Sequence, residues 1–227
     1  GKVGHVSQAD YNTFRNAVNA AKAAGANATG AVQKVRNAIN ALRECAVVQP
    51  EAGKVYRLVS ASTYYKKKYA GSTLYEVGGN LRVHYGQQDD AEELFSFVPS
   101  GEGYALRAVH SGNFAQLPTY DQAATMTAQP GTPLRIDAAK VPSGNYEYVP
   151  GVVVISAVED YSASAGSNTK RLFIKSFGSN DKTNDVPNVN RVVAFDDPSL
   201  CNPGTWYIEE ADFRVMLTGL LTRCNNT

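Results

Sequence analysis

Three short closing segments recur along this chain, and their spacing limits what it can fold into. Leu94-Phe95-Ser96-Phe97-Val98-Pro99, Pro133-Leu134-Arg135-Ile136-Asp137 and Gly204-Thr205-Trp206-Tyr207-Ile208-Glu209-Glu210 each follow a polar or Pro/Gly-containing run. The last of them holds the only tryptophan. There Trp206 and Ile208 alternate with Tyr207, so two bulky apolar groups share one face of a strand. Phe95, Leu134 and Trp206 are expected to fill equivalent places inside one barrel.

The strands that lead to these segments fall into three rounds. Round one reads Val55–Val59, Thr73–Val77, Asn80–Tyr85 and Leu94–Val98, with Gly78-Gly79 as a two-residue hairpin signal. Round two reads Gly103–Val109, Asn113–Gln116, Ala124–Ala128 and Leu134–Ile136. Round three reads Val152–Val158, Arg171–Ile174, Asn190–Phe195 and Trp206–Ile208, with a polar loop inserted from Ser176 to Asn190. Four short strands per round, without helices between them, predict a closed all-β architecture.

The first fifty residues follow a different period. Residues 1–6 read as a tail, and Gly1-Lys2-Val3 begins as a trimmed or mature chain would. Ser7 is placed to cap a helix, with Asp10 as an imperfect capping-box partner, and Phe14, Val18 and Ala21 face one way with Ala17 and Ala24 beside them. Gly25 stops it. Thr29 opens a second helix with a stripe of Val32, Val35, Ile39, Leu42 and Ala46, ended by Pro50. The stripes are thin, so the hairpin needs a third element or the β region to pack on.

Charge and cysteine content remove several functions. With 22 basic and 21 acidic side chains the formal charge is +1, which argues against a dominant phosphate-binding surface and against nucleic acid as partner. Lys66-Lys67-Lys68 between tyrosines reads as a solvated loop. No apolar run has the length to insert across a bilayer. Cys45, Cys201 and Cys224 exclude a disulfide framework. A single Cys45–Cys224 bridge and three free thiols both remain open. There is no phosphate-cradling glycine loop, nucleophile elbow or paired-histidine metal motif, and no cofactor or metal is expected. The acidic pairs Asp89-Asp90, Glu92-Glu93, Asp196-Asp197 and Glu209-Glu210 read as solvated turn charge, because adjacent strand residues point to opposite faces. The chain reads as a non-enzyme.

Three features resemble the ricin-B-like β-trefoil lectin family. The opening strands Tyr56-Arg57-Leu58-Val59, Tyr104-Ala105-Leu106-Arg107-Ala108-Val109 and Val153-Val154-Ile155-Ser156-Ala157-Val158 each lead into a polar turn. The turn His110-Ser111-Gly112-Asn113-Phe114 is similar to the family's habitual V-x-S-G-x-Y/F, and the closing strands stand where the family has Q-x-W. The resemblance covers about residues 53–211. In detail it is to trefoil modules of large secreted Bacteroidetes proteins, which often follow small helical repeats. It implies a mainly β chain: a β-trefoil over residues 51–211 with an N-terminal two-helix hairpin over 1–50. Residues 212–227 read as a C-terminal extension, in which Phe213–Leu217 is a strand leaving the trefoil toward a further domain or, alternatively, part of a terminal helix through Cys224. The departures are the missing Gln of Q-x-W, since Gly204 and Thr205 precede Trp206, and the missing acid in the first two turns.

Sugar recognition stacks CH faces on an aromatic ring and satisfies hydroxyls with fixed polar groups. Candidates by that chemistry are Asp160 and Tyr161 in round three, and His84, Tyr85 and Gln87 in round one. The implied function is carbohydrate binding by an accessory module of an extracellular or bacterial cell-surface protein, with a glycan and the other domains of a larger parent as partners. The alternatives are a structural or protein-interaction trefoil with degenerate sugar pockets and, third, a protease-inhibitor trefoil.

Overall fold

The computed structural model describes residues 2–25, 29–43, 45–61, 71–85, 91–119, 122–139, 151–159, 173–177, 190–195 and 204–212. Two helices, α1 (Gln8–Ala23) and α2 (Ala31–Arg43), precede twelve strands. Round one supplies β1 (Tyr56–Ser60), β2 (Ser72–Val77), β3 (Asn80–Tyr85) and β4 (Phe95–Ser100). Round two supplies β5 (Gly103–Ala108), β6 (Phe114–Gln116), β7 (Thr125–Thr127) and β8 (Leu134–Ala138). Round three supplies β9 (Val152–Ala157), β10 (Phe173–Phe177), β11 (Asn190–Phe195) and β12 (Thr205–Glu210). Each expected strand of the three rounds is present, and Phe213–Leu217 lies outside the described residues. β4 runs on through Pro99-Ser100 to meet β5, and β10 runs on to Phe177 in its hairpin with β11.

The pairings close a barrel. β1 pairs with β12, β12 with β9, β9 with β8, β8 with β5, β5 with β4, and β4 with β1. A closed ring leaves no edge strand to template association. The other six strands form three hairpins, β2–β3, β6–β7 and β10–β11. They meet at one end of the barrel, where β3 pairs with both β7 and β11. A six-stranded barrel capped by a hairpin triplet is a β-trefoil. At the β2–β3 turn both Gly78 and Gly79 have positive φ, 55° and 75°, as a type I′ hairpin requires.

Register makes the threefold pattern explicit. Tyr56 pairs with Phe95, Tyr104 with Leu134 and Val153 with Trp206, one equivalent pair per round. Between rounds, Phe95 faces Ala108, Leu134 faces Ala157 and Trp206 faces Ser60. Directly opposed side chains lie about 5 Å apart at Cβ. A bulky residue set against a small one therefore fills the barrel centre without overpacking it. The next layer, Phe97–Leu106, Ile136–Ile155 and Ile208–Leu58, repeats the relation with all six side chains buried. Phe95, Leu134 and Trp206 are each fully buried in one core.

The first helix forms where its cap and stripe predict, whereas α2 begins one residue beyond Gly30, without a Thr29 cap. It ends at Arg43 instead of Pro50 because residues 45–50 turn into the strand-like segment that pairs with Val6. Ser7 Oγ accepts from Asp10 N at 3.1 Å and donates to Asp10 Oδ2 at 2.6 Å. Gly25, with φ 87°, ends α1. Phe14, Ala17, Val18 and Ala21 all turn inward to some degree, Ala21 being buried. In α2 the expected stripe holds at Val35, Ile39 and Leu42, each partly buried, and fails at Val32 and at Ala46, which is exposed beyond the helix end. Ala31 is buried and Val32 is 62% exposed, because α2 packs chiefly against α1 and a single neighbour covers only a narrow arc.

Residues 2–6 are not a tail. Val6 forms a bridge with Val47, Gly4 N donates to Val48 O at 2.9 Å, and Val48 N donates to His5 O at 2.8 Å. Val3 and Val47 pack on the barrel core. Gln49 Nε2 donates to Ile136 O at 3.2 Å. This two-stranded flap closes the barrel mouth away from the hairpins. Cys45, beside it, is a free thiol, and Cys201 and Cys224 lie outside the described residues.

One buried and one half-buried phenol give the fold an alkaline limit. Burial pushes Tyr56 and Tyr75 above the ordinary phenol value of 10.0. Both are protonated in folded and unfolded chains below about pH 10, so their stability contribution is complete there. As pH rises further the unfolded chain ionises first, and that contribution is lost as pH passes through the folded values. Denaturation midpoints are expected to fall above about pH 10, with some phenolate absorbance appearing only on unfolding. Complete phenolate titration before any loss of structure would contradict this.

Candidate functional site

Of the residues proposed to meet sugar, the structure describes His84 and the backbone of Tyr85. Asp160, Tyr161 and Gln87 lie outside the described residues. Tyr85 is the last residue of β3 and pairs with Ser72. His84 is buried. Its Nε2 lies 2.7 Å from Glu93 Oε1, and its ring meets Tyr75 edge to face with centroids 4.6 Å apart. Glu93 is fully buried at the end of a 3-10 turn, Ala91–Glu93, with Arg57 Nε 3.5 Å from its other oxygen. The Glu92-Glu93 pair is thus not solvated turn charge. Glu93 points inward, where two basic groups compensate its desolvation.

A second buried carboxylate gathers the round-two turn. Glu76 pairs with Leu81 in the β2–β3 hairpin and is 3% exposed. Ser111 Oγ donates to Glu76 Oε2, Asn113 Nδ2 donates to Glu76 Oε1 at 3.2 Å, and His110 Nδ1 lies 3.8 Å from Oε2. The turn is braced from its other side by Arg107, whose Nε donates to Gly112 O at 3.1 Å and whose guanidinium lies 5.7 Å from the Phe114 ring centre. The polar groups of the family-like turn are therefore spent on holding round two against round one. One signal for Glu76 was readable: it shares a strand face with Leu74 and so follows the inward phase.

An open cleft of about 490 Å³ lies between the flap and strands β1 and β12. Tyr56, Ile208 and Gly151 form its floor, with His5, Tyr207 and Glu209 around it. Lys54 Nζ, beside it, bridges Glu51 at 3.2 Å and Glu210 at 3.1 Å, and these two carboxylates hold its ammonium above its ordinary pKa. Tyr56 Oη accepts from Glu51 N at 2.8 Å, which ties the rim to the floor. Nothing in sequence spacing brings His5 to β12; only the flap's closure does. No group of His, Cys, Asp and Glu side chains among the described residues is arranged to hold a metal ion.

No protein-family model matches this chain, and no curated protein matches by sequence. Similar solved structures exist. The Macrolepiota procera ricin B-like lectin in complex with lactose is 15% identical, with a TM-score of 0.49 over 72% of this chain and 100% of that one. The Rhizoctonia solani agglutinin is 14% identical, with a TM-score of 0.46 over 72% and 99%. A designed threefold symmetric protein, ThreeFoil, is 15% identical, with a TM-score of 0.44 over 69% and 99%. The trefoil assignment stands on this chain's own strand pairing.

Proposed function

We propose that this chain is a non-catalytic carbohydrate-binding module of an extracellular or cell-surface bacterial protein, holding partner domains near a glycan. The observation that supports it is the threefold barrel whose opening strands run into polar turns, one of them the lectin-like His110-Ser111-Gly112-Asn113-Phe114. Solved proteins of similar shape include a lectin with lactose bound. Glu76 and Glu93 are buried and engaged by neighbouring side chains, which leaves neither as a solvent-facing acid or base. A glycan array probed with the full chain is expected to give specific signals that free sugar competes away. An array without signal, repeated at millimolar sugar in solution, would sink the reading.

One observation favours a second reading, a structural or protein-interaction trefoil. The round-two turn faces Glu76 and His84 faces Glu93, so two polar positions that a sugar would want serve the fold. The silent array would favour this second reading.

A further inference from the structure

We infer that the cleft between the N-terminal flap and strands β1 and β12 is a saccharide-binding site, selective for neutral sugars. The inference rests on the carbohydrate-binding reading above, but places the sugar away from the turns. Its volume, about 490 Å³, is in the range of small-ligand pockets, roughly 300–1,000 Å³.

The chemistry is assembled from three parts of the chain. Tyr207 and Glu209 are two residues apart on β12, so their side chains leave the strand on the same face, about 7 Å apart along it. Tyr207 is partly buried and packs against the cluster of Ala139, Val152 and Val154, which fixes its ring in position. A fixed ring beside a carboxylate suits a pyranose: CH groups stack on the ring while adjacent hydroxyls donate to the oxygens. His5 also lines the cleft and supplies imidazole nitrogens as further hydrogen-bonding groups.

The flap is seated closely enough to make this geometry definite. A Cβ on Gly151, which has φ 84°, would lie 2.6 Å from His5 Nε2. A Cβ on Gly4, with φ 80°, would lie 2.6 Å from Gly151 O. Two glycines thus let the flap and the start of β9 approach at backbone contact, and His5 is set against the cleft floor. The rim carries Glu51, Glu209 and Glu210, with Lys54 held between the first and the last. Lys2 also lines the cleft, so three carboxylates face two ammonium groups, and the remaining negative charge disfavours an anionic sugar.

The test is an amide chemical-shift titration of the full chain with cellobiose, lactose, chitobiose and glucuronic acid at millimolar concentration. At least one neutral disaccharide is expected to shift residues 2–5, 51 and 207–210, with glucuronic acid bound about tenfold more weakly or not at all. Tyr207→Phe should bind within about threefold of wild type, whereas Tyr207→Ala and Glu209→Ala should each weaken binding by about tenfold or more. Glu209→Ala guards against Tyr207→Ala failing through misfolding. Sugar binding with shifts confined to the turns, unaffected by either alanine variant, overturns the cleft and leaves the carbohydrate reading standing. Equal binding of glucuronic acid overturns the selectivity. Absence of binding to any sugar, here and on the array, removes both.

Discussion

Trp206→Ala is expected to destabilise the protein by about 3–5 kcal/mol, the range for truncating a large buried aromatic. Trp206 is fully buried and carries the largest side chain of the core. It pairs with Val153 within its round and with Ser60 on the neighbouring strand β1, where the small serine leaves room for the indole. Alanine there would set two small residues face to face and open a void that the closed ring cannot collapse to fill. A second term is polar. Trp206 Nε1 donates to Ile174 O at 2.9 Å, joining the barrel to the β10–β11 hairpin. Trp206→Phe keeps most of the volume and strands that carbonyl, so it should cost about 1–3 kcal/mol. Denaturant titration followed by circular dichroism reads both variants without depending on tryptophan fluorescence. Typical domains hold only 5–15 kcal/mol in total. A loss under about 1 kcal/mol for Trp206→Ala would mean that the indole does not fill the barrel centre.

The same residues show which parts of the fold could be read before the structure. Alternation and turn chemistry are local, so the strands, the Gly78-Gly79 hairpin and the Ser7 cap were readable from neighbours in sequence. The threefold equivalence of Phe95, Leu134 and Trp206 was readable because each closes a round of four short strands, whatever the length of the loops between them. What could not be read were contacts that join rounds or join the flap to the barrel. Glu93 looks like surface charge from its acidic neighbours. Only the pairing of β1, β2 and β3 brings Arg57 and His84 to it. His5 reads as part of a tail until Val6 pairs with Val47. The expected helical stripe failed at Val32 for a related reason: periodicity gives the spacing of an apolar face, while the neighbour decides its angle.

The candidate site shows the same division. Tyr207 and Glu209 were visible as a strand alternation, but as half of a core argument about Trp206 and Ile208. Their outward face gains chemical meaning only when the flap stands opposite. Conversely, His84 satisfied the sequence criteria for a sugar ligand and is used by the fold. A polar residue near a turn is an equally good candidate for either role, and burial decides between them.

Glu93→Ala is expected to cost about 3–5 kcal/mol, the range for removing one partner of a buried ion pair. Glu93 is fully buried, with His84 Nε2 at 2.7 Å and Arg57 Nε at 3.5 Å, and the Arg57 and His84 side chains are themselves largely buried. Alanine removes the acceptor and leaves two basic groups facing a low-polarity interior, which is worse than deleting the whole cluster. The comparison that separates these effects is a double-mutant cycle. His84→Ala removes one donor and leaves Glu93 with Arg57, so it should cost less than Glu93→Ala. The double variant should then cost less than the sum, by roughly 0.5–3 kcal/mol of coupling. Glu93→Gln keeps the volume and one acceptor, and should fall between wild type and alanine. Because the cluster ties β1 and β3 to the segment entering β4, the loss should appear in the denaturation midpoint with little change in slope. Strict additivity, or a Glu93→Ala variant within about 0.5 kcal/mol of wild type, would show that burial here carries no electrostatic penalty and that the three side chains do not act as a unit.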